Sequence, residues 1–142
     1  MHAQSFPIGE VARRTGVKAP TIRYYEGIGL LPAPPRTEGN RRVYDDADLR
    51  RLAFIRHARE LGFDVEAIRT LLSLQDHPDQ PCTAADAIAR ARLADVDQRL
   101  AKLLALKAEL QRMVHQCTAG SISECRVIET LADTSHRHGP LV

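Results

Sequence analysis

The most informative stretch of the sequence is TIRYYEGIGLL, residues Thr21–Leu31. Ala19-Pro20 comes directly before it, and proline is tolerated in the first turn of a helix because the amides of that turn have no helical partner. Gly27 and Gly29 follow the charged and aromatic residues and favour an end to the helix. The stretch therefore predicts a short helix that carries an arginine and two tyrosines.

A first short helix precedes this one. Ile8, Val11 and Ala12 recur at helical spacing, and the pattern stops at Thr15-Gly16. The two helices are thus separated by only a few residues that include a glycine. This arrangement predicts a helix-turn-helix unit.

A basic, extended segment follows the second helix. After the prolines of residues 32–35, short arms around Arg36 and around Arg42-Val43-Tyr44 flank Gly39-Asn40, a dipeptide suited to a hairpin turn. Two helices followed by a basic hairpin are typical of a winged helix-turn-helix, in which the second helix enters the major groove and arginine or tyrosine side chains hold phosphates on either side.

The charge is unevenly distributed. The whole chain has a formal net charge of +2, whereas residues 1–44 hold seven basic side chains against three acidic ones, and seventeen of the twenty basic residues are arginine. Arginine suits forked contacts to phosphate or guanine, so this region is a candidate nucleic-acid surface, with a solvated basic face as the alternative. The seven basic residues are Arg13, Arg14, Lys18, Arg23, Arg36, Arg41 and Arg42.

Two further helices complete the predicted N-terminal domain, residues 1–75. Asp45 or Asp46 can cap a helix that runs to about Leu61, and Asp64 can cap another with an apolar stripe. The segment HPDQP, residues 77–81, lies within a predicted linker over 76–82.

Residues 83–116 predict one long helix because they contain neither glycine nor proline. At 1.5 Å per residue it would be about 51 Å long. Its apolar residues follow an a/d alternation, which favours a coiled-coil dimer; an amphipathic helix folded onto the N-terminal domain is the alternative. We expect a metal-binding loop and a short helix capped by Ser123 over 117–133, and a loose tail over 134–142. The predicted fold class is mainly α.

The sequence resembles the MerR family of transcriptional regulators over nearly its whole length. TIRYYE followed by GLL carries the resemblance, together with IGEVA at residues 8–12, TGV at 15–17, Arg36, Arg42 and Tyr44, and LGF at 61–63. The resemblance implies a winged helix-turn-helix, a second helical pair and a long dimerisation helix. It also implies a homodimer that binds a dyad operator in double-stranded promoter DNA and distorts it when an effector binds, so that RNA polymerase engages both promoter elements.

The same resemblance implies which residues contact DNA. It assigns contacts to Arg23, Tyr24, Arg36 and Arg42, with Lys18 and Thr21 near the second helix; Arg41 lies on the same predicted wing. Lys18 stands where members often have a serine or threonine cap, and Gly39-Asn40 reverses the usual wing order. Tyr25 has two interpretations, a DNA contact or a core residue.

Three cysteines suggest a metal site. Cys82 lies just before the long helix, whereas Cys117 and Cys125 lie after it. In an antiparallel dimer, the first cysteine of one subunit would lie beside the other two of its partner, which gives two three-thiol sites. Three thiolates suit mercury, cadmium, lead, zinc or copper(I), whereas three unrelated cysteines are the alternative.

The resemblance narrows the choice of candidate metal ions. The metal-responsive branch uses a cysteine at the position of Cys82 for divalent ions, whereas its copper(I) and gold sensors have serine there. The seven residues between Cys117 and Cys125 match the copper type instead. We expect the effector to be a divalent soft ion (cadmium, lead, zinc or mercury). Its binding would make the protein activate metal resistance or efflux genes. A copper(I) sensor, or a constitutive DNA-binding protein with a structural metal, remains an alternative. His136 and His138 could add a secondary metal site or belong to a solvated tail.

Other classes are disfavoured. The sequence has no C-x-x-C pair, glycine-rich phosphate loop or H-E-x-x-H motif, so we expect no enzyme. The 26 residues after the long helix are too few to enclose a drug-sized ligand, and two cysteines in the loop are too few for an iron–sulfur cluster. No apolar run reaches the length of a membrane span, and the N-terminus lacks the pattern of a signal peptide, so we expect a cytoplasmic protein with no membrane partner.

Overall fold

The computed structural model describes residues 4–39, 41–116 and 120–135. Its elements, in chain order, are β1 (Phe6–Pro7), α1 (Ile8–Thr15), α2 (Ala19–Gly27), β2 (Val43–Tyr44), α3 (Asp46–Glu60), α4 (Val65–Gln75), α5 (Thr83–Gln116), a 3₁₀ turn (Ile122–Glu124) and α6 (Arg126–Ala132). The chain divides into two compact units, Met1–Ile88 and Ala89–Val142. The predicted mainly helical fold with its long helix is confirmed.

The turn between α1 and α2 depends on one glycine and one threonine. Gly16 has a φ of 74°, a left-handed conformation that glycine adopts without the steric cost of a β-carbon, and its N–H donates to the Ala12 carbonyl. The Thr15 hydroxyl donates to the Val11 carbonyl over 2.8 Å and accepts from the Val17 N–H over 3.2 Å. The buried turn is therefore satisfied internally, which fixes α2 against α1.

The wing is attached to the start of the chain. β2 pairs antiparallel with β1, with Phe6 opposite Tyr44 and Pro7 opposite Val43. The two predicted arms of the hairpin meet at an isolated bridge, Arg36 with Arg42, and the Val43 N–H donates to the Pro35 carbonyl over 3.0 Å. Residues 6 and 7 were not predicted to form a strand, because a two-residue strand has no pattern of its own. Asn40 of the predicted turn lies outside the described residues.

Aspartate caps determine where the next two helices begin. Asp45 accepts from the Asp48 N–H, and the Asp48 side chain accepts from the Asp45 N–H, so the pair forms a capping box at the start of α3. Asp64 accepts from the Ala67 N–H and caps α4. Gly62, at a φ of 86°, lies in the connection between the two helices. Both predicted caps are thus present.

The core of the first unit is formed by side chains from every element up to α4. Removing one large aliphatic side chain from water contributes about 1.5–3 kcal/mol, so this cluster supplies most of the driving force for the unit. Its almost completely buried members are Val11, Ile22, Leu30, Leu31, Tyr44, Leu52, Ile55, Ile68 and Leu72.

The second unit contains most of α5 and the C-terminal elements. Of the described residues of α5, Met113 alone is buried. The predicted cap at Ser123 is wrong: this residue lies within the 3₁₀ turn, its hydroxyl is hydrogen-bonded to that of Ser121 over 2.7 Å, and α6 begins only at Arg126 with Cys125 at its N-cap. The 3₁₀ turn takes up the residues that the sequence pattern assigned to the first turn of the helix.

None of the described helices combines the length and the apolar character that crossing a bilayer requires.

Candidate DNA-binding surface and metal-binding residues

Four arginines from α2 and the wing share one concave surface. Arg23, Arg36, Arg41 and Arg42 line a depression of about 520 Å³, together with Pro7 and Ile8 at the start of α1. The pairing of β1 with β2 brings the wing beside α1, and the Thr37 N–H donates to the Arg41 carbonyl over 2.8 Å at the wing tip. The structure thus brings together four of the seven residues predicted to contact DNA.

The other three predicted DNA contacts lie on or beside α2. Lys18 is exposed and forms the N-cap of α2 without a side-chain hydrogen bond, as expected where a serine or threonine cap is lacking. Thr21 is half-buried on the first turn, and Tyr24 is 55% exposed. Tyr25 is 8% exposed and belongs to the core cluster, so of its two interpretations the structure supports the packing role.

Glu26 organises the inner side of this basic surface. Its side chain is 8% exposed, and one carboxylate oxygen accepts a hydrogen bond from the Tyr44 hydroxyl. The other oxygen, Oε2, lies 3.6 Å from Arg42 Nε. One carboxylate on α2 therefore contacts two neighbouring wing residues and positions Arg42. Sequence reasoning assigned Glu26 no role, although it stands in the motif that carries the resemblance.

The surroundings of the Tyr44 phenol determine its protonation state. Burial raises the pKa of Tyr44 above its usual value, and the hydrogen bond to the Glu26 carboxylate raises it further. The phenol is therefore held in the protonated form that can donate to Glu26.

Two of the three cysteines fall within the described residues. Cys82 is exposed directly before α5, and its carbonyl accepts from the Asp86 N–H over 2.9 Å. Cys125 is half-buried at the N-cap of α6, where its carbonyl accepts from the Glu129 N–H over 2.9 Å. Cys117 lies outside the described residues, as do His136 and His138. Over residues 4–39, 41–116 and 120–135, no three histidine, cysteine or acidic side chains come together as a metal site.

A hydrogen bond joins the end of α5 to the start of α6. Arg126 Nε donates to Gln116 Oε1 over 2.9 Å, and Arg126 Nη1 lies 3.0 Å from Glu129 Oε1. Gln116 directly precedes one cysteine and Arg126 directly follows the other. The last residue of α5 and the first residue of α6 are thus held together.

The fold and the arginine surface define a DNA-binding transcriptional regulator of the winged helix-turn-helix class. A family model described as "MerR HTH family regulatory protein" matches residues 6–75, and one described as "MerR, DNA binding" matches residues 49–113. The chain belongs to the MerR family, among its metal-responsive regulators, and it is a regulator rather than an enzyme.

Individual relatives cover almost the whole chain. The HTH-type transcriptional regulator ZntR of Escherichia coli is 43% identical over 129 residues, which are 89% of this chain and 92% of that protein. The lead(II) complex of the transcription regulator PbrR691 from Ralstonia metallidurans has a TM-score of 0.76 at 38% identity, covering 89% of this chain and 99% of the other. The mercury(II) complex of MerR from Bacillus megaterium has a TM-score of 0.67 at 31% identity, covering 89% and 98%.

Proposed function

We propose that the protein is a homodimeric, metal-responsive activator of metal resistance or efflux genes. It binds a dyad operator within a promoter, and a divalent soft ion (cadmium, lead, zinc or mercury) switches it to a form that distorts the DNA so that RNA polymerase engages both promoter elements. The observation that carries the proposal is the combination of the four-arginine surface with cysteines at both ends of α5.

The arginine surface supports the DNA-binding part. Arg23 lies on the second helix of the helix-turn-helix, the element that enters the major groove in this class, while Arg36, Arg41 and Arg42 lie on the wing. Phosphate contacts fix the register of such a protein, and base contacts give its specificity. We assign the wing arginines to phosphates, and Arg23, Tyr24, Thr21 and Lys18 to the region of the major groove.

The exposed apolar stripe of α5 supports the homodimer. Soluble monomers rarely leave a long contiguous apolar stripe in water, and a second copy of α5 laid antiparallel would cover it. Part of this face forms a groove of about 380 Å³ that includes Leu103, Leu106, Leu110 and Val114. The large apolar side chains of α5 that are exposed in the single chain are Leu93, Val96, Leu100, Leu103, Leu104, Leu110 and Val114.

The donor chemistry supports the metal part. Cys82 is exposed, and the Gln116–Arg126 hydrogen bond joins the end of α5 to the start of α6, next to Cys125. Antiparallel pairing would bring the first cysteine of one subunit to the loop of the other. A soft ion bound by the three thiolates would cross-link the two subunits at that point.

Two relatives support a divalent ion, since the solved structures of PbrR691 and MerR contain lead(II) and mercury(II). The seven-residue spacing between Cys117 and Cys125 instead favours copper(I), which is the second candidate effector. A third candidate is a constitutive DNA-binding protein whose metal is only structural.

Mixed dimers test the cross-subunit site. Subunits with Cys82→Ser are refolded together with subunits that carry both Cys117→Ser and Cys125→Ser, and lead(II) binding is followed by thiolate-to-metal charge-transfer absorbance. We expect neither parent dimer to bind tightly, whereas the mixed dimer should recover one ion per dimer because it regains one complete set of three thiols. Tight binding by either parent, or none by the mixed dimer, would contradict a site shared between subunits.

A further inference from the structure

Arg51, on α3, joins two segments that are far apart in sequence. Its Nε donates to the carbonyl oxygen of Leu30 over 2.8 Å, and its Nη1 lies 3.4 Å from both carboxylate oxygens of Asp76. The Arg51 side chain is 24% exposed, whereas that of Asp76 is 53% exposed. One guanidinium therefore holds a shielded partner and a solvent-accessible one at the same time.

The shielded partner lies three residues after the end of α2. Leu30 is almost completely buried, and its N–H donates to the Tyr25 carbonyl over 2.9 Å in the last turn of that helix. A displacement of Arg51 is therefore transmitted to the helix that carries Arg23 and Tyr24.

The accessible partner belongs to the start of the linker. Asp76 is the C-cap of α4, and its N–H donates to the Leu72 carbonyl. The linker then continues through a turn in which the Gln80 N–H donates to the His77 carbonyl over 3.0 Å, and it reaches Cys82 six residues after Asp76. A displacement of the linker thus acts on Asp76 first.

We propose that Arg51 is a positioning residue that couples the linker to the DNA-reading helix. The inference rests on the proposed function, because it takes binding of the ion at Cys82 as the event that displaces the linker. Arginine suits this role because its planar guanidinium binds two partners in fixed directions, whereas a lysine ammonium offers only a compact point charge. The contact to Asp76 ties the guanidinium to the linker, and the shielded bond to Leu30 ties it to the segment after α2, so that a shift of the linker is passed on through Arg51.

Asp76→Ala, with Asp79→Ala as the matched control, tests the coupling in the full-length dimer. Asp79 lies on the same linker, so its replacement removes the same charge from the same segment. We expect Asp76→Ala to reduce the ratio of transcription with lead(II) to transcription without it by about threefold, the scale of a partly exposed ion pair. Its promoter affinity without metal should stay within about twofold of that of the unmodified protein, and Asp79→Ala should keep the full ratio.

Arg51→Lys provides the second variant. Lysine retains the positive charge but not the forked guanidinium, so we expect a transcription ratio between that of the unmodified protein and that of Asp76→Ala. Combining Arg51→Lys with Asp76→Ala should add little further loss, because both changes act on one contact. A full ratio in Asp76→Ala, while the unmodified protein responds, would overturn the coupling and leave the proposed function intact. Parallel losses of melting temperature, DNA affinity and induction would overturn it in favour of a structural role. If the unmodified protein responds to no ion, the proposed function fails and this inference fails with it.

Discussion

The Tyr44 hydroxyl donates a hydrogen bond to the Glu26 carboxylate and thereby joins β2 to α2, the second helix of the helix-turn-helix. The same carboxylate lies 3.6 Å from Arg42 Nε, so the wing and α2 share one acidic anchor beneath a surface lined by four arginines. A single acid among many bases lowers the charge of the surface only slightly. Its effect is to fix where the neighbouring Arg42 side chain lies within that surface.

Replacing Tyr44 by phenylalanine tests this anchor. The variant leaves the Glu26 carboxylate, which is 8% exposed, without its hydroxyl partner, so we expect the free energy of unfolding to fall by about 1–3 kcal/mol. Urea denaturation measures the loss. The matched control is Tyr24→Phe, which removes the same hydroxyl from a residue that is 55% exposed and should leave stability unchanged. Equal stability of the two variants would contradict the anchor.

The pH dependence of stability provides a second test of the same contact. The pKa of Tyr44 is raised in the folded protein by burial and by Glu26, so its contribution is fully present below the unfolded tyrosine pKa of about 10 and is lost as the pH rises towards the folded value. We expect stability to fall above about pH 10, and Tyr44→Phe to lose less stability than the unmodified protein over that range. Parallel curves for the two proteins would exclude the linkage.

The helix-turn-helix and its caps could be predicted from the sequence because each depends on residues close together in the chain. Gly16, Asp45 and Asp64 act within four residues of their positions, and α5 needs only an uninterrupted stretch without glycine or proline. The error at Ser123 is also local: the pattern does not distinguish a 3₁₀ turn from the first turn of a helix.

The contacts that organise the site could not be predicted in this way. Glu26 and Tyr44 are 18 residues apart, and Arg51 lies 21 residues from Leu30 and 25 from Asp76. Nothing in a periodic pattern indicates which distant carbonyl or carboxylate a side chain will reach. The contacts of Glu26 and Arg51 are therefore defined only by the folded chain.

Arg23→Ala tests the DNA-binding surface. Removing one contact should weaken promoter binding by about tenfold and, if the contact is to phosphate, make the logarithmic salt dependence less steep by about one. Titrations at several salt concentrations measure both quantities. Arg99→Ala, which removes the same charge from an exposed position on α5, should change neither. Unchanged affinity and salt dependence in Arg23→Ala would remove this residue from the interface.

Leu100→Asp tests the dimer. Leu100 is 52% exposed in the single chain and lies on the apolar stripe, so the variant would bury an unpaired charge in each half of the interface and should destabilise the dimer by about 3 kcal/mol or more. Sedimentation equilibrium measures the shift towards monomer. Gln98→Asp places the same charge on the opposite, polar side of the helix and should leave the dimer intact. Equal dissociation constants would show that the stripe is not the interface.

We propose that a divalent soft ion bound through Cys82 controls transcription. In-vitro transcription from the protein's own promoter, across separately buffered lead(II), cadmium(II), zinc(II), mercury(II) and copper(I), tests it most directly, with Cys82→Ser run in parallel. We predict activation by at least one of the divalent ions and its loss in Cys82→Ser, with promoter binding retained. Activation by copper(I) alone, or a divalent response that survives in Cys82→Ser, would contradict the account.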